Sequence, residues 1–176
     1  VPPEESYEEE LAEAWDDVTG AALDPKLVRM ARQEEIEYFR KMEVYTKVPR
    51  SQCLARTGKS PITVRWVDIN KGDVHNPNYR SRLTAREIKN NARPDLLAAT
   101  PPIEALKCVL SLATSGGKTR KLMINDVKRA YFYAPAVREV YVEICQEDRV
   151  EGEGDLVGLL QFSMYGTRDA AQNWQG

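Results

Sequence analysis

Residues 62–86 read ITVRWVDINKGDVHNPNYRSRLTAR, and the fold class follows most directly from this stretch. Its first part, residues 62–69, is rich in β-branched and aromatic side chains, which favour a strand. Residues 70–78 contain Asn, Gly, Asp and Pro in a cluster that is typical of a turn. Residues 79–86 then alternate in character, with Arg80, Arg82 and Arg86 on one face and Leu83 and Ala85 on the other. The stretch therefore predicts a basic β-hairpin.

Upstream of this hairpin, the sequence predicts one long helix. Asp24 followed by Pro25 is a typical helix start, because Asp caps the first backbone amides and Pro fits the first helical position. We expect the helix to run to about Tyr45. Its apolar face would carry residues at helical spacing, namely Leu27, Ala31, Tyr38 and Met42. Residues 49–61 are expected to form a loop.

Downstream of the hairpin, the pattern alternates between helix and strand. A second helix is predicted to begin at Thr100-Pro101 and to stop at Gly116-Gly117, with its apolar residues at helical spacing: Ile103, Leu106, Val109, Leu110 and Ala113. Strands are expected at residues 122–127, 140–144 and 156–160, and a last helix begins within residues 163–174. The predicted fold class is therefore α+β.

Charge is distributed unevenly along the chain, although the net charge is only −2. Residues 1–17 contain eight acidic side chains and no basic one, whereas residues 47–93 contain eleven Lys and Arg against three acidic side chains. The acidic leader is expected to be a linker. The basic segment favours a surface that binds a polyanion such as nucleic acid, and the alternative is that it forms only a solvated face.

The residue inventory argues against several classes of function. The three cysteines are spaced too widely for a zinc knuckle, and His75 is the only histidine, so His-rich metal sites and Ser or Cys protease chemistry are disfavoured. Gly117-Lys118-Thr119 resembles the end of a phosphate-binding loop, but Leu112 stands where that motif requires Gly. No apolar run is long enough to span a membrane, and the first residues do not read as a secretory signal, so we expect an intracellular protein.

Asp126 is the most informative single residue. It comes near the end of the apolar run 122–127, where a carboxylate is costly unless it is paired, hydrogen-bonded or bound to a metal ion. The alternative, from position alone, is an Asp that caps the following turn through local hydrogen bonds.

Residues 126–132, DVKRAYF, resemble motif A of reverse transcriptases, in which Asp-Val opens the motif and Ala-Tyr or Ala-Phe follows at the same distance. Other blocks resemble the copia-type retrotransposon polymerases in the same order: YRSRLTAR at 79–86, the helix start at Thr100-Pro101, and SMYGTRDAA at 163–171 with Trp174 beyond it. The sequence departs from the family at Ala171, where Pro is usual, and at Asn125, where an apolar residue is common. It also contains no Tyr-x-Asp-Asp motif.

The resemblance implies the fingers and an incomplete palm of a right-hand polymerase, with a basic β-hairpin followed by a helix and a mostly antiparallel sheet. Residues 1–24 would be the acidic linker, residues 25–95 a fingers-like subdomain that carries the hairpin, and residues 96–176 the first part of the palm. The chain would then be a segment of a Pol polyprotein, and other segments of that polyprotein would be its partners.

The resemblance also implies a site for nucleotide addition. The Asp126 carboxylate and the Val127 carbonyl would bind Mg²⁺, with two ions in the complete enzyme, since this cation prefers hard oxygen ligands. Tyr131 would lie beneath the sugar of the incoming deoxynucleoside triphosphate and exclude a 2′-hydroxyl, with Ala130 and Phe132 beside it.

Further residues are implied around this nucleotide. Tyr165 and Gly166 would lie near the nucleotide or the template base. Basic side chains would contact the phosphates of the triphosphate or of the template-primer, because guanidinium and ammonium groups suit phosphate: Arg80, Arg82, Arg86, Lys71 and Arg168.

The expected reaction is RNA-directed DNA synthesis on an RNA/DNA template-primer, in a cytoplasmic particle or the nucleus. Because the paired-Asp motif is missing, we expect this segment to be inactive by itself. The alternative is a catalytically inactive retroelement remnant that acts at most as a nucleic-acid-binding module.

Overall fold

The computed structural model of the chain describes residues 14–88, 101–115 and 120–175. In these ranges the α-helices and strands are, in order, β1 (Ala14–Trp15), β2 (Ala22–Leu23), α1 (Pro25–Lys41), β3 (Tyr45–Pro49), α2 (Arg50–Thr57), β4 (Val64–Asn70), β5 (Tyr79–Ala85), α3 (Ile103–Thr114), β6 (Tyr141–Glu143), β7 (Leu156–Leu160) and α4 (Ala170–Gln175). Short 3₁₀ helices occupy Ala130–Tyr133 and Gln146–Asp148. Helices and strands are thus mixed, as the sequence predicts.

The sheets are antiparallel, as expected. β4 and β5 form the predicted hairpin, in register from Val64 opposite Ala85 to Asn70 opposite Tyr79. β7 lies at the centre of a three-stranded sheet, with β3 on one side and β6 on the other. β1 and β2 form a small hairpin within residues 14–23, at the end of the segment assigned from sequence to the acidic linker.

α1 begins where the sequence predicts but ends earlier. The Asp24 side chain accepts a hydrogen bond from the Lys26 amide at 2.8 Å, which is the expected cap. The helix ends at Lys41 because Glu43 takes a left-handed backbone, with φ 51°, and Tyr45 already belongs to β3. The predicted apolar face is only partly right. Tyr38 and Met42 pack half-buried against the core, but the fully buried residues of the helix lie at other positions: Val28, Glu35, Ile36 and Phe39.

Two further expectations about secondary structure are wrong. Residues 50–57 form α2 rather than a loop, and this helix buries Cys53. Residues 121–127 form no strand, and Met123 and Ile124 are exposed. A run of strand-forming residues becomes a strand only when a neighbouring strand pairs with it, and within the described residues none pairs with this segment.

One hydrophobic core joins α1, β5 and the three-stranded sheet. Its fully buried members come from these elements and from the segments between them: Ile36, Val44, Leu83, Phe132, Val142 and Met164. Leu83 and Ala85 point inward from β5, as the alternation predicts. The arginines of that strand therefore point away from the core and are available to form a site.

α3 confirms the predicted helix but leaves its apolar side chains uncovered. Thr100 and Gly116-Gly117, its predicted start and stop, lie outside the described residues. The apolar side chains are 41–62% exposed: Ile103, Leu106, Val109, Leu110 and Leu112. Among the described residues, neither this helix nor any other is both long and apolar enough to cross a membrane.

Candidate functional site

A polar cleft of about 140 Å³ opens between α1, the basic face of β5 and the residues just before the 3₁₀ helix Ala130–Tyr133. Most of its lining side chains are charged, and they include Glu34, Glu35, Arg80, Arg82, Lys128 and Arg129. Cations outnumber carboxylates among these residues, so the cleft favours an anionic ligand.

β5 contributes Arg80 and Arg82 to this cleft. Arg82 also lies over the ring of Tyr165, with 5.1 Å between the guanidinium carbon and the ring centroid. Among the described residues, neither arginine forms an ion pair. Both guanidinium groups therefore remain available to bind phosphate, for which their planar fork is well suited.

The loop that carries Tyr165 and Gly166 is fastened to the end of β5. The Ala85 amide donates a hydrogen bond to the Tyr165 carbonyl at 2.7 Å. Gly166 has φ +84°, and a Cβ at this position would lie 2.0 Å from the Ala85 carbonyl oxygen. Only glycine fits so close an approach in this backbone conformation. The Tyr165 ring is thereby held beside the arginine face of the strand.

Tyr131 belongs to the 3₁₀ helix Ala130–Tyr133, which the core fixes through Phe132. The Phe132 ring is fully buried and meets the Phe39 ring edge-on, with centroids 4.7 Å apart. Ala130 is half-buried, and the half-buried Tyr131 has its ring centroid 5.1 Å from that of Tyr165. The structure thus brings together Tyr131 and Tyr165, which the sequence assigned to the same site.

Arg129 and Glu35 form an ion pair at the cleft. Arg129 Nε donates to Glu35 Oε2 at 2.7 Å, and Glu35 is only 2% exposed. Burial raises the pKa of Glu35, and the hydrogen bond and charge of Arg129 oppose this rise only in part. The Arg129 guanidinium also lies over the ring of Tyr38, 4.3 Å from its centroid. The pair therefore joins α1 to the segment that carries Tyr131.

Asp126 and Val127 lie in the exposed, irregular segment 121–127, directly before the cleft residues Lys128 and Arg129. Within the described ranges, Asp126 forms no hydrogen bond or ion pair, and no group of three His, Cys, Asp or Glu side chains could hold a metal ion. A free carboxylate is a suitable ligand for Mg²⁺, but one carboxylate does not make a two-metal site. The described residues therefore fit such a site only in part.

The other predicted phosphate-binding residues do not line the cleft. Lys71 lies in the exposed turn of the hairpin, where its amide donates to the Asn78 carbonyl at 2.8 Å. Arg86 is exposed just beyond β5. The Arg168 amide donates to Glu87 Oε2 at 2.8 Å. The structure thus separates these three basic residues from the pair on β5.

The sequence-based prediction missed the acidic side of the cleft. Glu35 lies seven residues after Val28 and four before Phe39, so it belongs to the buried stripe of α1. Because the sequence assigned the apolar face to other positions of the helix, Glu35 was not recognised as a glutamate within a buried stripe. Arg129 was also missed, since nothing in its sequence neighbourhood indicates a partner on α1.

A comparison with protein families matches residues 46–176 to the family described as "Reverse transcriptase (RNA-dependent DNA polymerase)". The chain is also similar to the "Retrovirus-related Pol polyprotein from transposon TNT 1-94" of Nicotiana tabacum, with 28% identity over 149 residues. This match covers 82% of the chain but only 11% of that relative. No solved structure matches the chain. Because the family match spans well over half of its residues, the chain belongs to the reverse transcriptase (RNA-dependent DNA polymerase) family.

Proposed function

We propose that this chain forms the fingers and the first part of the palm of a copia-type retrotransposon reverse transcriptase. Its reaction is the RNA-directed addition of deoxynucleotides to a primer 3′-end. The observation that carries this proposal is the cluster in which the rings of Tyr131 and Tyr165 lie in contact beside the guanidinium groups of Arg80 and Arg82, which form no ion pair among the described residues. An aromatic pair beside these cations offers both a surface for a nucleoside and counter-charges for its phosphates.

The two arginines on β5 bind the triphosphate of the incoming nucleotide. Their backbone is held by the paired hairpin strands, so the guanidinium groups are positioned before the ligand arrives. Phosphoryl transfer depends chiefly on such positioning and on charge neutralisation. Arg86, Lys71 and Arg168 lie outside the cleft and are assigned to the phosphates of the template-primer.

Tyr131 selects the sugar. The buried Phe132 anchors the 3₁₀ helix that carries Tyr131. The Tyr131 ring lies against that of Tyr165, with the centroids 5.1 Å apart. A ring held in this way can exclude a 2′-hydroxyl, because there is neither space nor a hydrogen-bond partner for it. Ala130 and Gly166 border the same site with little side-chain bulk.

Asp126, with the Val127 carbonyl, is assigned to Mg²⁺. The bound ions would neutralise charge on the reacting phosphates. The exposed Asp126 carboxylate, without a cationic partner among the described residues, is chemically suited to this role. The remaining carboxylates of a two-metal site would come from outside the described residues.

The protein is assigned to a polyprotein whose other segments are its partners. The name of the tobacco relative, a Pol polyprotein from a transposon, supports this assignment. The same context favours an intracellular location, in a cytoplasmic particle or the nucleus, where an RNA template is present.

The second candidate function is that of a catalytically inactive remnant that binds nucleic acid through its basic hairpin. The observation in its favour is that the described residues contain no group of three His, Cys, Asp or Glu side chains that could hold a metal ion. Primer extension on an RNA template by the purified chain, lost on Asp126→Asn, would exclude the remnant. We expect no extension from the chain alone, so the decisive assay uses a polymerase that carries this segment together with a complete palm.

Sugar selection provides the main test of the proposed function. In such a polymerase, Tyr131→Val should allow the incorporation of ribonucleotides, because the smaller side chain leaves room for the 2′-hydroxyl. Primer extension with each nucleotide type measures the change. Trp15→Val, which replaces an exposed aromatic side chain of the β1–β2 hairpin, is the control. An unchanged preference for deoxynucleotides in folded Tyr131→Val would remove this residue from its proposed role.

The arginines are tested by the salt dependence of binding. Replacing both Arg80 and Arg82 by Ala should weaken binding of a deoxynucleoside triphosphate and reduce the slope of log affinity against log salt, by about 0.7–0.9 per phosphate contact if a nucleic acid is the ligand. The control replaces Arg56 and Arg65, which are exposed and paired with Glu139 and Asp17. If the affinity and the slope both stay at their original values, the two arginines form only a solvated strand face.

A further inference from the structure

Arg129 has an unusual backbone conformation at the start of the 3₁₀ helix that carries Tyr131. Its φ of 56° and ψ of 43° lie in the left-handed region, which residues with a side chain rarely adopt. Such a conformation persists only where the surrounding contacts enforce it, and it occurs preferentially at functional sites.

Within the described part of the chain, the Arg129 side chain is held by contacts from α1. Arg129 Nε donates to the buried Glu35 carboxylate at 2.7 Å, and an Arg129 terminal nitrogen lies 3.3 Å from Glu34 Oε1. The face of the guanidinium lies over the Tyr38 ring. The Arg129 side chain is only 11% exposed, so these contacts largely remove it from solvent. Glu35 is the most buried of the three partners.

This anchored residue leads directly into the nucleotide site. The Phe132 amide donates to the Arg129 carbonyl at 3.0 Å, so the backbone of Arg129 forms the first turn of the 3₁₀ helix. Tyr131 lies inside that turn and has its ring against Tyr165. A change in the orientation of Arg129 would therefore rotate the turn and move the Tyr131 ring.

We propose that the Arg129–Glu35 ion pair is a positioning device that holds the Tyr131 ring against Tyr165 and so sets the discrimination between deoxyribose and ribose. The inference rests on the proposed nucleotide-binding function. Both side chains border the cleft, but in this role they act through the backbone of the turn and not as ligands of the phosphates.

The competing role for Arg129 is direct contact with phosphate. Its guanidinium is already occupied by Glu35, Glu34 and the ring of Tyr38, whereas Arg80 and Arg82 have no ion-pair partner among the described residues. The two roles predict different results for Arg129→Gly. This variant should lose much of its affinity for phosphate if Arg129 is a phosphate ligand, and should keep most of it if Arg129 is a positioning residue.

The test uses the 176-residue chain with Glu35→Gln and Arg129→Gly. Glycine accepts the left-handed backbone, so Arg129→Gly removes the anchor without adding backbone strain. Glu37→Gln is the matched control, because Glu37 is an exposed glutamate on the same helix that accepts a hydrogen bond only from Gln33 among the described residues. The measurements are the nuclear Overhauser effect between the Tyr131 and Tyr165 ring protons, and the affinities for dATP, ATP and tripolyphosphate.

In both anchor variants we expect the ring-to-ring effect to weaken and the preference for dATP over ATP to fall by about tenfold, with tripolyphosphate affinity preserved. The control should match the unsubstituted chain in all measurements. If both variants keep the ring contact and the preference while Tyr131→Val loses the preference, this inference is overturned and the proposed function stands. Equal affinity of the unsubstituted chain for dATP and ATP would contradict the proposed function and the inference together. A parallel loss of tripolyphosphate affinity in Arg129→Gly would assign Arg129 to phosphate binding instead.

Discussion

Apolar side chains are buried in one region of this molecule and exposed to solvent in another. In the packed region, which comprises α1, the β4–β5 hairpin and residues 128–133 and 163–166, Leu83 and Phe132 are fully buried. In the open region, which comprises α3 and residues 121–127, Leu106 is 55% exposed and Ile124 is 83% exposed. Both regions have regular apolar patterns in the sequence. The pattern therefore predicts the type of an element, whereas burial depends on a partner from elsewhere in the chain.

The packed region finds its partners across long distances in sequence. The rings of Phe39 and Phe132 meet at 4.7 Å although they belong to α1 and to the 3₁₀ helix near residue 130. Arg32 of α1 binds Asp68 of β4 at 2.7 Å. The candidate site lies where these long-range contacts converge. The open region has no comparable set of contacts within the described residues, and Asp126 is exposed there.

Truncation of a large side chain in each region should show the greatest contrast. Phe132→Ala should lower the free energy of unfolding by about 3–5 kcal/mol, because it leaves a cavity in a close-packed core. Leu106→Ala in α3 should change it by about 0.5 kcal/mol or less, since the side chain is already half exposed. Urea unfolding at equilibrium measures both values. Similar losses would show that α3 is covered in solution.

Two glycines, one in a close backbone contact and one in open space, should differ in the cost of replacement by alanine. Gly166→Ala should cost about 2–3 kcal/mol, because the residue has a left-handed backbone and its Cβ would collide with the Ala85 carbonyl. Gly154→Ala, in the loop between β6 and β7, has nothing within 4 Å of the new Cβ and should be close to neutral. Urea midpoints of the two variants decide the comparison. Equal midpoints would mean that the Tyr165 loop is not fastened to β5.

Asp16, in the hairpin formed by β1 and β2, should make the free energy of unfolding depend on pH. The amides of Asn70, Thr19 and Val18 donate to the Asp16 carboxylate and lower its pKa from 3.8 to about 2. A group with a lowered pKa in the folded state stabilises the fold fully above its ordinary pKa, and this contribution is lost as the pH falls from about 4 towards 2.

Asp16→Asn should therefore reduce the loss of stability between about pH 5 and about pH 2.5, because the carboxylate that must be protonated is gone. Asp155→Asn, whose side chain is 83% exposed, serves as the control and should keep the original pH dependence. Urea midpoints at the two pH values provide the measurement. An unchanged pH dependence in Asp16→Asn would show that the β1–β2 hairpin is not held to β4 in solution.

The smallest effect on stability is expected from adding charge to the open region. Leu106→Glu combined with Leu110→Glu should change the free energy of unfolding by about 0.5 kcal/mol or less, yet reduce self-association, because exposed apolar surface favours aggregation. Ser111→Glu adds charge to the same helix without removing an apolar group and is the control. Light scattering at increasing protein concentration measures association. A cooperative loss of folding in the double variant would show that α3 is packed.

Elements whose determinants are local could be predicted from the sequence. The Asp24 cap, the β4–β5 hairpin and the strand Leu156–Leu160 follow from neighbouring residues, and each is present. Arg80, Arg82 and Tyr165 were also assigned to a common site on local pattern and resemblance, and they line one cleft. For Arg80 and Arg82, the alternation of side chains along a strand was enough to predict that they face away from the core.

Features that depend on distant partners could not be predicted in the same way. Glu35 reads as a surface glutamate until Arg129, from another part of the chain, is placed against it. The run at 122–127 reads as a strand, but strand pairing requires a neighbour that the local sequence does not specify. The position of Asp126 depends on that same segment. The sequence therefore indicated the residue types of the site more reliably than their arrangement.

The strand order β3-β7-β6 has a consequence for how this chain folds. β7 is the central strand, and it is synthesised after both of its neighbours. β3 pairs from Tyr45 opposite Leu160 to Pro49 opposite Leu156, so it stays without its partner until residues 50–155 have been synthesised. Such non-local pairing slows folding and leaves strand edges exposed in the meantime. Formation of this three-stranded sheet therefore has to wait for β7, the last of its strands to be synthesised.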